Sequence, residues 1–255
     1  MKSSADGGGC FPTGRHYPGI AHLLRIDATG LAEEFPSATL MAHLPMVAID
    51  TETTGKNANS DRIVEVACVV WEEGAIVERH SWLIHPECPI PEEAANVHGI
   101  TDEMVRDHPP FARVADELLG VLRRGVPLAY NAPFDRAFVL AELERAGITL
   151  AAPPPAGRRQ VEWIDPLVWA RELHAHEKSR ALSEVCERLG ITLEQAHRAT
   201  SDAEAALLVM QAFLDELRVP KSYGAFVREQ RRLARQFEEE RRRWRRNTKA
   251  GALSS

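Results

Sequence analysis

Met46-Val47-Ala48-Ile49-Asp50-Thr51-Glu52-Thr53-Thr54-Gly55 is the stretch from which the fold is read. Met46 to Thr51 is a short apolar run of strand type that ends in acid. Period two along a strand puts the Asp50 and Glu52 carboxylates side by side on one face. An aspartate placed directly after a buried run is exposed to desolvation and needs a partner for its charge. Gly55 permits a tight turn and close backbone approach by a ligand. A solvated acidic strand end is the bland alternative.

Outward from this stretch, Arg62 to Trp71 reads as a longer strand rich in Val and Ile. Glu73-Gly74 turns the chain into a third strand, roughly Ile76 to Ile84. Strands joined so tightly must be antiparallel neighbours. The prolines 86, 89 and 91 mark an irregular crossing. A helix from about Pro110 to Arg124 follows, with Val114, Leu118, Leu119 and Leu122 at helical spacing. Val126 to Tyr130 reads as a strand, and Pro133 opens a helix that Gly147 ends. The Pro-rich loop Ala151 to Gly157 leads to a short strand near Gln160 to Ile164. Two more helices are expected, one ending near Gly190 and one running from about Ser201 to Leu217. Such an order gives an α/β fold, a mixed sheet flanked by helices.

The flanks differ from this centre. Residues 1 to about 18 are Gly/Ser/Pro-rich and read as mobile, and one or two short helices fit between Ile20 and Leu44. The division expected is an N-terminal extension over 1–45, partly disordered, a catalytic domain over 46–217 and an Arg-rich helical tail over 218–255. A net charge of −6 argues against a generally basic nucleic-acid coat, yet leaves room for a nuclease, whose metal site must itself be acidic. Four cysteines without C-x-x-C spacing suit free thiols in a reducing compartment. With no apolar signal core and no stretch able to span a bilayer, the expectation is a cytoplasmic protein with no membrane role.

Two further motifs extend the chemistry. Asp135 falls in the first turn of the helix opened by Pro133, where the helix dipole favours an anion. His197 and Asp202 are five apart, but Ser201 with Glu204 has the pattern of a capping box. The helix then starts near Ser201, with Asp202 in its first turn and His197 on the preceding loop. Each motif has an ordinary structural reading when taken singly. Together they supply hard oxygen ligands without a cysteine or multi-histidine set, which suits Mg²⁺ or Mn²⁺ rather than zinc. Two such ions about 4 Å apart can activate water and stabilise the leaving oxygen of a phosphodiester. A histidine adds a neutral base near physiological pH.

With these residues in place, Met46 to about Leu217 resembles the DEDDh 3′-5′ exonucleases, the family that includes the epsilon proofreading subunit of bacterial DNA polymerase III. Asp50 through Gly55 is similar to the family's first motif, Asn131-Ala132-Pro133-Phe134-Asp135 to its second, and His197 through Asp202 to its third. Ile90-Pro91, Val97 through Thr101 and Leu182 through Ile191 also resemble family sequence in the expected order. Tyr130 departs from the histidine that many relatives carry before the Asn-Ala pair. The resemblance implies a ribonuclease-H-like fold, two divalent ions and release of nucleoside 5′-monophosphates from the 3′ end of single-stranded or frayed DNA. It implies that Asp50, Glu52, Asp135 and Asp202 hold the metals and that His197 deprotonates the attacking water. Thr51, Thr53, Thr54 and His98 would lie near the terminal nucleotide, with Asn131 supporting the site. Phe134 is either a site wall or core, with core favoured.

The chain leaves no room for a polymerase domain, so a proofreading partner of a polymerase or a free-standing repair nuclease is expected. Two alternatives stay open: a 3′-end-trimming exoribonuclease similar to ribonuclease T or oligoribonuclease, and a module that binds 3′ ends or a polymerase without cutting. Gly7-Gly8-Gly9 and Gly55-Lys56 fail as phosphate loops. His174 and His176 read as solvated surface, and Trp71, Trp82, Trp163 and Trp169 as core. From Arg228 to Arg246 there are nine arginines against four glutamates, a net charge of +5. Phe226, Leu233, Phe237 and Trp244 share one helical stripe there. Either this helix lays its stripe on the domain, or it docks a polymerase or other protein, or it tracks nucleic-acid phosphates.

Overall fold

The computed structural model describes residues 29–192 and 198–252. The segment 1–18 and His197 lie outside the described residues. The sheet has the order β3-β2-β1-β4, formed by β1 (Met46–Thr53), β2 (Ile63–Glu72), β3 (Ala75–Leu83) and β4 (Val126–Leu128). β1 pairs antiparallel with β2 and parallel with β4, and β2 pairs antiparallel with β3. The expected mixed sheet is therefore present. Glu73 and Gly74 both have positive φ, the two-residue geometry whose twist matches the flanking strands.

Helices follow in the order α1 (Glu92–His98), α2 (Asp102–Val105), α3 (Phe111–Leu122), α4 (Pro133–Arg145), α5 (Pro166–Leu173), α6 (Leu182–Leu189), α7 (Ala199–Leu214) and α8 (Tyr223–Ala252). Alternation along β1 splits the core into two layers. Met46 and Ala48 belong to the layer containing α5, α6, α7 and the first half of α8. Val47 and Ile49 belong to the layer under α3 and α4. Asp50 and Glu52 continue the first face, Thr51 and Thr53 the second.

Three local expectations change. The strand expected at Gln160–Ile164 reduces to a single bridge between Leu128 and Ile164, because the Asp165 side chain caps α5 and Pro166 cannot extend a ladder. The short helices α1, α2 and α5 were not expected, since four to eight residues are too few for a clear periodic signal. Within 29–44 the only helical turn is the 3₁₀ segment Met41–His43.

The flanks contribute to the body. Leu31, Ala32, Met41 and Leu44 share the first core layer with Tyr223, Phe226, Val227 and Leu233, and the Tyr223 hydroxyl accepts from the Ala32 N–H at 2.9 Å. The apolar stripe of the tail thus lies on the body through Phe237, while Trp244 stays 66% exposed. Cys68, Cys88 and Cys186 are free thiols. Among the described residues no helix is long and apolar enough to cross a membrane.

Candidate active site

β1 runs out of its core at Asp50, and the three acids that share its first face are Asp50, Glu52 and, from the first turn of α7, Asp202. One carboxylate oxygen from each lies within 4.8 Å of the other two. α7 begins at Ala199, so Ser201 is inside the helix. Arg198 occupies the cap position without a side-chain cap, and Glu204 pairs with Arg79 at 2.6 Å. The expected capping box is therefore absent, though Asp202 keeps its first-turn position.

Asp135 reaches the same end of the sheet from the other layer. Its Oδ1 accepts from the Thr51 N–H at 3.0 Å and from the Thr51 hydroxyl at 2.8 Å. Thr51 is thus the residue that orients Asp135. Thr53 Oγ1 donates to the Gly55 carbonyl at 2.6 Å, and Thr54 Oγ1 accepts from Arg62 N–H at 2.9 Å. Both hydroxyls shape the strand end. Gly55 does permit close approach, but the group that comes close is the Asp61 side chain, which a Cβ there would strike.

Burial and mutual repulsion act together on these acids. Burial raises the Asp50 pKa well above its ordinary value, and Asp135, Glu52 and Asp202 push it further. Glu52 is pushed up to about 8 by burial and then by Asp202, Glu65 and Asp135. Asp135 rises to about 7 through burial, against the lowering effect of its Thr51 bonds. Among the described residues no lysine or arginine forms an ion pair with Asp50, Glu52 or Glu65. Hard oxygen donors that repel one another in this way fit a divalent metal.

Two neighbours of these acids, Glu65 and Asp165, escaped the sequence reading. Glu65 stands opposite Glu52 in the β1–β2 register, buried, with Oε1 accepting from Ser81 at 2.6 Å and Oε2 without a partner among the described residues. Like charges directly opposite each other destabilise a strand pair, so Glu65 deepens the demand for a cation. A lone glutamate inside the apolar run of β2 was the available signal. The register shift at Glu52/Thr53 is a bulge of the kind that re-aims side chains beside a site. Asp165 accepts from the N–H groups of Asn131 (3.0 Å), Ala132 (3.2 Å) and Leu167 (2.9 Å). It thereby holds the turn that delivers Asp135, in which Asn131 has φ 69. Asp followed by Pro, a cap before a first-turn proline, was its legible sign.

His98 ends α1 buried beside Thr53. Its Nδ1 accepts from Ile100 N–H at 3.0 Å, and Nε2 has no partner among the described residues. Burial lowers its pKa, opposed by the Thr53 backbone and Glu65. Phe134 packs on the second core layer and against Phe138 at 4.9 Å. Tyr130 donates to the Arg180 carbonyl at 2.5 Å.

A family model described as Exonuclease, of the ribonuclease T type, matches residues 47–210. That span is most of the chain and includes all four acids. The chain belongs to this exonuclease family. It is 36% identical over 173 residues to the 3′-5′ exonuclease DinG of Bacillus subtilis (strain 168), covering 68% of this chain and 18% of DinG. It is 30% identical over 214 residues to the PolC-type DNA polymerase III of Streptococcus suis (strain 98HAH33), covering 81% of this chain and 14% of that polymerase. The chain therefore spans less than a fifth of each of these relatives. E. coli exonuclease I, solved with a dT13 oligonucleotide, superposes with a TM-score of 0.58 at 21% identity over 70% of this chain and 42% of that one. At that identity the likeness is of fold, and it meets the ribonuclease-H-like expectation.

Proposed function

We propose that this exonuclease-family chain hydrolyses phosphodiesters one at a time from the 3′ end of single-stranded or frayed DNA and releases nucleoside 5′-monophosphates. The observation that carries the reading is the cluster of Asp50, Glu52 and Asp202, with no lysine or arginine paired to Asp50 or Glu52 among the described residues. Asp50, Glu52, Asp135 and Asp202 would hold two ions, Mg²⁺ or Mn²⁺. When bound, such ions offset the charge that builds on the phosphate during an in-line displacement.

The remaining tasks fall to the chain's own groups. Thr51 fixes the Asp135 carboxylate from two directions. Thr53 and Thr54 hold the strand end at which a terminal nucleotide would sit, and the buried His98 forms a wall beside it. Asn131, with Asp165 behind it, sets the turn into α4. His197, which precedes Asp202 by five residues, takes the proton of the attacking water. That role is supported by the H-x4-D motif and by the need for a base that carboxylates engaged with metal would not supply. In this reading residues 46–217 are the catalytic unit, braced by its flanks. The free thiols suit a cytoplasmic setting. A role beside a polymerase draws on the PolC-type relative.

Time courses on 5′-labelled single-stranded DNA, mismatched duplex and RNA, with Mg²⁺ or Mn²⁺, test this reading. A ladder shortening from the 3′ end of DNA is expected. Cleavage inside the strand, shortening from the 5′ end, or RNA as the sole substrate would each overturn it.

A further inference from the structure

The tail helix has a direction, and the direction matters. Its start is tied to the end of the body where β1 begins: Ser222 bridges Leu40, and Tyr223 N–H donates to the Thr39 carbonyl at 2.8 Å. One turn on, Phe226 packs against Trp169 with ring centroids 4.9 Å apart. Gln230 then accepts from Asp165 N–H at 2.9 Å and donates to the Trp163 carbonyl at 2.8 Å. Gln230 and Ala234 line one cleft with Ala132, Pro133 and Arg136, the first turn of α4, which carries Asp135. α8 therefore climbs alongside the sheet toward the end where the carboxylates lie. Beyond Ala234 it continues for roughly 18 Å to Arg246, at ~1.5 Å per residue.

That projecting part has its own chemistry. Residues 241–247 are exposed, and five of the six residues from Arg241 to Arg246 are arginines, in a chain of net charge −6. Glu238 answers Arg241 at 3.3 Å and Arg242 at 3.1 Å. Arg243, Arg245 and Arg246 form no ion pair among the described residues. Trp244 lies between them, 66% exposed. Alternating guanidinium groups and an aromatic face bind single-stranded nucleic acid, through phosphates and base stacking respectively. A protein groove or a lipid surface would instead ask for a row of apolar anchors. Here Phe226, Leu233 and Phe237 are already spent on the body, and Trp244 by itself makes no row.

We infer that the projecting half of α8, Arg241 to Arg246 with Trp244, is a second contact for the single-stranded nucleic acid whose 3′ end the carboxylates receive. This rests on the exonuclease reading for the strand's identity but makes a separate claim about binding. It follows that long strands are held better than short ones, and that the difference resides in the tail.

The test uses the full chain, the triple variant Arg243→Ala, Arg245→Ala, Arg246→Ala, and Trp244→Ala. Circular dichroism first checks that these exposed changes leave the fold intact. Binding of labelled long oligothymidylate is read by fluorescence anisotropy in EDTA over a salt series, and hydrolysis of trithymidylate is read with Mn²⁺. The triple variant should bind the long strand at least about tenfold more weakly. Its log K against log salt should be shallower by about 2, at ~0.7 for each phosphate no longer neutralised. Trp244→Ala should weaken binding about fivefold or more with the salt slope kept. Trithymidylate hydrolysis should not change. Unchanged long-strand binding, an equal loss on trithymidylate, or a loss seen only toward anionic vesicles would overturn the assignment. If the wild type does not hydrolyse trithymidylate while the triple variant loses binding, the exonuclease reading fails and the tail assignment stands. Normal hydrolysis with unchanged binding gives the reverse.

Discussion

Glu142 and Glu52 are both withdrawn from solvent around the first residues of β2, and the protein treats them in opposite ways. Glu142, 1% exposed, receives Arg62 Nε at 2.8 Å, Arg145 at 3.2 Å and the Ile63 N–H at 3.3 Å. Every one of its partners is supplied by the chain. Two residues along β2, Glu65 faces Glu52, and among the described residues the charges that act on Glu52 are the carboxylates of Asp202, Glu65 and Asp135. A buried ion pair completed internally is architecture. A cluster of like charge in which, among the described residues, no lysine or arginine pairs with Asp50 or Glu52 has the character of a site for something external.

The largest effect that tests this contrast is on catalysis. Asp50→Ala should lower hydrolysis by more than about 10³-fold, at the upper end of what loss of one charge-stabilising group costs, with the melting temperature kept or raised. Retained activity with lost stability would make Asp50 structural and erase the distinction. His197→Ala comes next, with a rate loss of about 10²- to 10⁴-fold and loss of the acid limb of the pH profile. If that limb survives the substitution, another group is the base.

On stability the two glutamates should part in sign. Glu142→Gln should destabilise the protein by about 3 kcal/mol, since it leaves Arg62 and Arg145 without their buried carboxylate, as read by urea denaturation. Glu52→Gln should stabilise the metal-free protein at pH 8. Destabilisation by both would mean that the Glu52 cluster is also internally balanced.

Metal-free protein should show the same contrast as a pH dependence. Folded Glu52 keeps its proton up to about pH 8, against an ordinary glutamate value of 4.5. The folded state therefore binds more protons between those values, and stability falls as pH rises through the window. Mn²⁺ at ~100 times its Kd should restore about 2.7 kcal/mol, more at pH 8 than at pH 5.5, because protons compete for the same oxygens. A melting temperature indifferent to Mn²⁺ at both pH values would rule out the metal site. The smallest effect is that of Thr51→Val, which removes one of two bonds to Asp135 and should cost about 1 kcal/mol of stability in urea denaturation, with a severalfold drop in rate as the carboxylate loses its fixed orientation.

Much of this was legible in advance for reasons tied to particular residues. The alternation of Met46 to Thr53 gave the strand and its acidic face, the Glu73-Gly74 turn gave the antiparallel pair, and Pro133 placed Asp135 in a first turn. The capping-box reading of Ser201 and Glu204 failed because Glu204 is drawn across to Arg79 on β3, a partner 125 residues away. The strand at Gln160–Ile164 failed because Asp165 was needed as the cap of α5 and the anchor of the Asn131 turn.

By itself the sequence determined the classes of element, the order of the acids and their character as hard ligands, because these depend on residue type and local period. Only the tertiary structure decided that Glu65 faces Glu52, that Asp135 arrives from the opposite layer under the control of Thr51, and that α8 lies against Asp165 and the first turn of the helix that carries Asp135. Those facts depend on register and packing between segments far apart in the chain, and no local pattern encodes a register.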